Sequence, residues 1–428
     1  MAVDASSETA PQSTRKIVAA GAVGNALEWY DFAVYGFLAP IIAPLFFPSD
    51  DPFSSLLAVY GAFAAGYLAR PIGGFVFGYI GDKFGRRPVL ILTVTMMGFG
   101  SLAIGLLPTA ESVGAVAGLL LVLVRVIQGI SVGGEYPGSA VFVAEGSPPG
   151  RRGFLTSFIF SGAVGGFLIG SGAAALLTTL FEKETIEAGL WRIPFIAGVI
   201  ILAASFTLRR SVMRPERSDG KPPVRSPIIT TFQDHWRDVL KVLGIAIGGG
   251  VPFYVLFVYA ISYLTEEMHD DAATAMDINT LCLFVLMVLA PVAALLSDKV
   301  GRKPVAMTGL AVMIIVAIPA FWLMHSKDPM VILAGQIALT IPFACYASIS
   351  PVLLAEVPSA AVRVSVASIG YNVILALFGG TVPLVATYLV GRLGDDYFPA
   401  YYIMAAAGVS FVTLFFVQER RNEPLEPV

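Results

Sequence analysis

The chain has 428 residues, 56% apolar and only 13% charged, with a mean hydropathy of +0.79 and a net charge of −3. Soluble domains carry about 25% charged residues, so the composition sets aside a soluble globular domain, and the near-neutral charge gives no reason to expect a nucleic-acid partner. It suits a chain mostly dissolved in lipid, where backbone polar groups must be satisfied inside helices.

Read in order, the chain offers twelve apolar runs near the ~20 residues needed for a span. They cover roughly 17–45, 53–80, 88–108, 113–144, 153–180, 191–209, 238–265, 273–297, 304–325, 329–355, 360–391 and 398–418. The polar start, 1–16, followed by so long an apolar run argues against a cleavable signal peptide. The first, fourth and eleventh runs are long and interrupted by Gly or Pro, so bending is expected there. The one sizeable polar gap, 210–237, reads as a linker between a six-helix bundle at 17–209 and another at 238–418, with short tails at 1–16 and 419–428. Placing both termini in the cytoplasm puts 21 of 27 Lys and Arg on the inner side and four outside, with Arg70 and Arg125 left within spans. That is the positive-inside bias. Cys282 and Cys345 fall in apolar runs, which argues against a disulfide framework. His235, His269 and His325 are scattered, so no metal cluster is expected. No P-loop is present, which argues against ATP drive.

Two features show an internal repeat. Asp82-Lys83-Phe84-Gly85-Arg86-Arg87-Pro88-Val89 returns 216 residues later as Asp298-Lys299-Val300-Gly301-Arg302-Lys303-Pro304-Val305, with six of eight positions kept. Glu145 and Arg152 share a seven-residue spacing with Glu356 and Arg363. Parallel repeats of six-span halves occur in one class of transporter. Asp82, Arg86, Arg87, Glu145, Arg152, Asp298, Arg302, Glu356 and Arg363, together with Glu135 near the hinge, are gating candidates: charged groups able to lock one arrangement of the halves and release in another. The alternative is a plain cytoplasmic turn anchored by positive charge.

The stretch Gly78-x-x-x-Asp82-Lys83-x-Gly85-Arg86-Arg87 resembles the loop 2–3 motif of the major facilitator superfamily. Four further stretches narrow the likeness: Gly24-Asn25-Ala26-Leu27-Glu28-Trp29-Tyr30-Asp31-Phe32, Arg70-Pro71-Ile72-Gly73-Gly74, Gln128 to Tyr136, and Trp191-Arg192-Ile193-Pro194-Phe195. Together they resemble the metabolite:proton symporter family, whose members import citrate, 2-oxoglutarate, shikimate, proline and betaine. The resemblance implies an all-α membrane protein with twelve helices in two six-helix bundles. It further implies a monomeric, proton-driven importer in the bacterial inner membrane, with no cofactor and no enzymatic activity.

Charge inside a span costs ~2.5–3.5 kcal/mol at the midplane on insertion scales, so each such group needs a partner or a cavity. Gly24, Glu28, Asp31 and Tyr35 form one helix face, which is expected to line the central cavity with Tyr35 as a substrate-binding candidate. Asp31 or Glu28 is a proton carrier, or else a permanently paired carboxylate. Arg125 lies in a stretch that resembles the superfamily's span-4 motif, which implies a role in proton coupling and, by analogy, pairing with Asp31. Arg70 has a fork suited to a substrate carboxylate, unless Glu28 or Glu135 occupies it. Glu135 pairs with Arg86 or Arg87, or carries a proton. Gln128 binds substrate or bridges helices, and the same two readings apply to Tyr254, Tyr259, Gln336, Tyr371 and Asn372. Gly248-Gly249-Gly250-Val251-Pro252 loosens span 7, and Gly162, Gly166 and Gly170 predict a close helix contact in span 5.

The expected function is import of a small carboxylate-bearing metabolite such as 2-oxoglutarate or citrate, with a zwitterionic osmolyte or amino acid as the alternative. The short end after the last span lacks the coiled-coil tail of some osmosensing betaine importers, which favours organic acids. Against that, the second half offers no second cation within a span for a multiply charged acid. Proton-antiport efflux is the less favoured reading, because Ser161-Gly162-Ala163-Val164-Gly165-Gly166 lacks the proline typical of such carriers.

Overall fold

The structure is a computed structural model in which residues 14–84, 86–212, 227–267 and 272–425 are described. His269, residues 213–226 of the connecting segment, and the side chains of Asp82, Arg86 and Arg87 lie outside the described residues. Among the described residues, eleven helices are long and apolar enough to cross a membrane, and a pair bent by 51°, taken as one broken span, makes twelve.

The first six-helix bundle comprises α1 (Thr14–Phe46), α2 (Pro52–Phe84), α3 (Arg86–Leu106), α4 (Val116–Glu145), α5 (Arg152–Leu180) and the bent α6 (Lys183–Leu190 with Arg192–Thr207). The second comprises α7 (Trp236–Thr265), α8 (Ala272–Val300), α9 (Arg302–Met324), α10 (Pro329–Glu356), α11 (Arg363–Leu393) and α12 (Phe398–Phe415). A short helix, Pro227–Asp234, precedes α7. Within the first half α1 packs along α5, and α2 along α4. Between the halves α5 meets α8 and α2 meets α11.

Two glycine seams set the positions of the site helices. Along α5, a Cβ on Gly162 or Gly166 would stand 2.4 or 2.3 Å from the carbonyl oxygens of Ala22 or Ala26 on α1. The contact predicted from the glycine spacing is thus made against the helix that carries Glu28 and Asp31. Along α4, a Cβ on Gly129 would lie 1.8 Å from the Gly66 carbonyl, and one on Gly133 would lie 2.3 Å from the Arg70 carbonyl. Backbone contact this close leaves no room for any side chain. It holds Arg70 and Arg125 at fixed depth and turns them inward. Leu68 and Ile72 are 53% and 54% exposed on the lipid-facing side of α2, whereas Arg70 between them is 0% exposed.

Not every span is one straight helix. α4 divides at Gly133–Gly134 into Val116–Val132 and Glu135–Glu145. α10 divides in the same manner into Pro329–Ala347 and Ser350–Glu356. Each break sets off an end piece that finishes on a gating candidate, Glu145 or Glu356. α1, by contrast, stays helical through Pro40 and Pro44. In α7 the backbone after Pro252 widens into a π-helical turn, Val255–Tyr259.

Candidate functional site

Four ionisable side chains on three helices of the first half converge at mid-depth. Arg70 donates to Glu28 Oε1, and Arg125 donates to Asp31 Oδ2 at 3.0 Å. All four are at most 2% exposed. The two pairs share α1, one turn apart, but their surroundings differ. Asp31 also accepts from Gln128 Nε2 at 2.9 Å and from Ser101 Oγ. Arg125 also donates to Gln128 Oε1 at 2.9 Å, and its guanidinium carbon lies 4.2 Å from the Tyr35 ring and 4.6 Å from Phe32. Tyr35 is thus packing for Arg125, and its hydroxyl donates to the Val59 carbonyl at 3.0 Å. Gln128 belongs to the Asp31 set as a bridge between helices.

Arg70 faces the second half. Its guanidinium carbon lies 4.6 Å from the Tyr67 ring and 5.7 Å from Trp29. Its Nε and Nη1 have no hydrogen-bond partner among the described residues, nor does the indole nitrogen of Trp29. Beside this group, at the seam of the halves, is a mainly apolar cavity of about 40 Å³. Its aromatic walls are Trp29, Tyr136 and Phe160 from the first half and Phe253, Tyr254 and Tyr371 from the second. Trp29 meets Phe253 edge-on at 5.7 Å, and Phe253 meets Tyr254 at 5.6 Å. Gly249 and Gly250 complete the α7 wall.

Two tyrosine pairs link the halves around the cavity. Tyr67 and Tyr254 share a hydrogen bond of 2.5 Å. Tyr136 and Tyr371 stack at 4.8 Å with their planes 8° apart. At ~1.5 Å per residue, Tyr254 stands roughly 27 Å from the start of α7, and Tyr136 roughly 13 Å from the end of α4. The stacked pair is therefore nearer the Arg- and Lys-rich face. Asn372, next to Tyr371, donates to the Gly133 carbonyl at the α4 break, 2.5 Å across the seam.

The other second-half candidates stand away from the cavity. Gln336 donates to the Leu256 carbonyl at 2.7 Å and to Asn279 at 3.2 Å, bracing the widened turn of α7. Tyr259 is buried at the end of that turn, with its ring 6.0 Å from Tyr263. Neither lines the cavity. Glu135, at the start of the second piece of α4, accepts from Thr93 at 2.9 Å and from Ser139 at 3.4 Å.

On the basic face, the repeated Glu and Arg pairs cross between the halves. Arg363 donates to Glu145 at 2.7 Å, and Arg152 to Glu356 at 2.6 Å. Arg302 binds Asp298 at 2.5 Å and reaches Glu356 at 3.5 Å. Asp298 also accepts the backbone N–H groups of Gly153 and Phe154 at the start of α5. Charged groups from both halves thus close this face.

Sequence reasoning did not single out Trp29, Tyr67, Ser101, Tyr136, Phe160 or Phe253. Signals were available for three of them. Trp29 lies between Glu28 and Asp31, Tyr136 follows Glu135, and Tyr67 precedes Arg70 by one helical turn.

Comparison with known proteins agrees with this architecture. A Major Facilitator Superfamily profile matches residues 21–369 and 242–427. The glycine betaine/proline/ectoine/pipecolic acid transporter OusA of Dickeya dadantii is 35% identical over 427 residues, covering 96% of this chain and 85% of its own. The proline/betaine transporter of Escherichia coli K12 is 34% identical with the same coverage. The ectoine/proline transporter ProP of Corynebacterium glutamicum is 35% identical, covering 99% of this chain and 88% of its own. Among solved structures, the proton:xylose symporter XylE bound to 6-bromo-6-deoxy-D-glucose has a TM-score of 0.79 at 18% identity, over 96% of this chain and 97% of that one. The three curated transporters are named for zwitterions, so the citrate, 2-oxoglutarate and shikimate branch expected from sequence finds no support in them. With twelve spans in two bundles, the chain belongs to the Major Facilitator Superfamily.

Proposed function

We propose that this protein imports a small zwitterion of the betaine and proline class together with a proton. The observation that carries this reading is the six-ring cavity beside an arginine with unused donors. Aromatic faces attract a desolvated onium group by as much as about 2 kcal/mol. The Arg70 guanidinium and the Trp29 N–H supply donors for a carboxylate. One cation beside an apolar cage suits one carboxylate and one onium charge. A di- or tricarboxylate would bring anionic groups with nothing to meet them.

Coupling follows from competition for one guanidinium. In the empty carrier Glu28 holds Arg70. When the substrate carboxylate takes Arg70, Glu28 is left buried without its cation, which is costly, and a proton on Glu28 restores neutrality. On this reading the proton carrier is Glu28 rather than Asp31. The Asp31 carboxylate is held by Arg125, Gln128 and Ser101, all from its own half, so a change in how the halves meet leaves that set intact. The loaded carrier then parts the ion pairs on the basic face, which we place in the cytoplasm with both termini, and the halves rock about the cavity. Release returns Arg70 to Glu28. We assign the protein to the bacterial inner membrane as a single-chain carrier, neither an enzyme nor dependent on a cofactor.

The test is uptake into proteoliposomes under an imposed acid-outside gradient. Radiolabelled glycine betaine and proline are expected to accumulate, and 2-oxoglutarate and citrate are not. Accumulation of the organic acids alone would overturn the reading.

A further inference from the structure

Glu28 and Glu135 line the same small cavity. Its volume is about 10 Å³, and its other walls include Thr93, Met97 and Ser131. That is about the space one water molecule requires. The two carboxylates are 2% and 4% exposed and come from different helices. Glu135 lies on the basic-face side, at the start of the short second piece of α4.

That piece is also the part of α4 that the second half grips. It packs against α10 and α11. Within four consecutive residues, Gly133 accepts from Asn372, Glu135 faces the cavity, and Tyr136 stacks on Tyr371. Any motion that separates Tyr371 and Asn372 from α4 therefore pulls on the segment that holds Glu135.

We propose that Glu135 is a proton-relay residue inward of Glu28, which delivers the transported proton to the cytoplasmic side when the second half releases the α4 break. This rests on Glu28 being the residue that loads the proton. The relay is a simple proton transfer. Glu28 as the acid gives its proton through one water to the Glu135 carboxylate, and Glu28 is left as a carboxylate that pairs again with Arg70. Glu135 then gives the proton to water once the basic face opens. Thr93 and Ser139 hold the receiving oxygens in place. Glu28 of α1 shares the cavity with Glu135, Arg70 of α2 stands behind Glu28, and Tyr136, next in the chain to Glu135, stacks on Tyr371. From α3 Glu135 meets the Thr93 hydroxyl, and the side chains of Arg86 and Arg87 on that helix lie outside the described residues.

The experiment uses full-length carrier in proteoliposomes with two readouts: proton uptake from the outer bath triggered by glycine betaine, and net accumulation under an acid-outside gradient. Glu135→Gln is expected to keep the triggered proton uptake at about the wild-type amount per carrier while net accumulation falls at least tenfold. Glu135→Asp should recover most of the accumulation. Thr93→Val should slow turnover a few-fold with the triggered uptake unchanged. Wild-type accumulation by Glu135→Gln overturns the relay, as does loss of its triggered proton uptake or equal loss of both readouts in Gln and Asp variants. Glu28→Gln should abolish the triggered uptake. If it does not, the loading assignment fails instead, independently of any result at Glu135.

Discussion

The two ion pairs on α1 lie one helical turn apart and are built for different ends. Asp31–Arg125 is enclosed by its own half, with Gln128 and Ser101 on the carboxylate and the Tyr35 and Phe32 rings against the cation, although Arg125, like Arg70, keeps two guanidinium nitrogens without a partner among the described residues. Glu28–Arg70 stands next to a cavity that both halves line, separated from it by Trp29, whose ring lies 5.7 Å from the Arg70 guanidinium carbon and forms part of the cavity wall. Burying charge in a span demands compensation in both cases. What differs is whether the compensation can be exchanged. On the proposed function, the pair enclosed by one bundle holds that bundle together, whereas the pair at the seam is the one that a substrate carboxylate displaces.

The strongest way to break this contrast is at Arg70. Arg70→Gln removes both the substrate anchor and the partner of Glu28, and uptake of glycine betaine is expected to fall at least 100-fold, since truncating a buried, hydrogen-bonded charge costs about 2–5 kcal/mol or more. Arg70→Lys should recover little of it, because an ammonium lacks the planar fork. Initial-rate kinetics in proteoliposomes would check both.

The aromatic wall sharpens the same contrast. Trp29→Leu should raise KM for glycine betaine roughly 10- to 30-fold, in line with the ~2 kcal/mol of a desolvated cation–π contact, and Trp29→Phe should raise it by less. Proline competition assays are expected to show a smaller loss, because its ammonium can also hydrogen-bond. The basic face offers a weaker handle. Glu356→Gln strips the shared acceptor of Arg152 and Arg302, so it should favour the form open to the cytoplasm. A cysteine placed in the cavity wall should then label severalfold faster from that side. Gln336→Leu should cost least, a factor of about three in rate, because hydrogen bonds between membrane helices average about 0.6 kcal/mol.

Much of the framework was legible in the chain. Apolar run length gave twelve spans, and the glycine period in α5 gave a close helix contact, though not that its partner is α1. The few intramembrane charges marked the residues of both ion pairs, with Asp31–Arg125 expected by family analogy and Glu28 only one of two alternative partners for Arg70. The crossing of Glu145 to Arg363 and of Arg152 to Glu356 was not legible. The seven-residue spacing suggests pairs within each loop, and only the docking of the halves swaps the partners. The cage was hidden for a similar reason. Its rings sit on α1, α4, α5, α7 and α11, and in a chain that is 11% aromatic no local pattern sets these apart from ordinary packing. From sequence the zwitterionic substrate class stood only as the alternative: the proposed carboxylate anchor is visible as one arginine, but the proposed onium site exists only as a tertiary assembly of neutral rings.

The most direct test of the exchangeable pair compares Glu28→Gln with Asp31→Asn in proteoliposomes, following glycine betaine accumulation under an acid-outside gradient alongside homoexchange without one. The account predicts that Glu28→Gln exchanges substrate but no longer concentrates it. Asp31→Asn should reduce the amount of folded carrier, because Arg125 loses its counter-charge, while the carrier that remains still accumulates substrate. Gradient-driven accumulation by Glu28→Gln, or its loss in well-folded Asp31→Asn, would contradict the account.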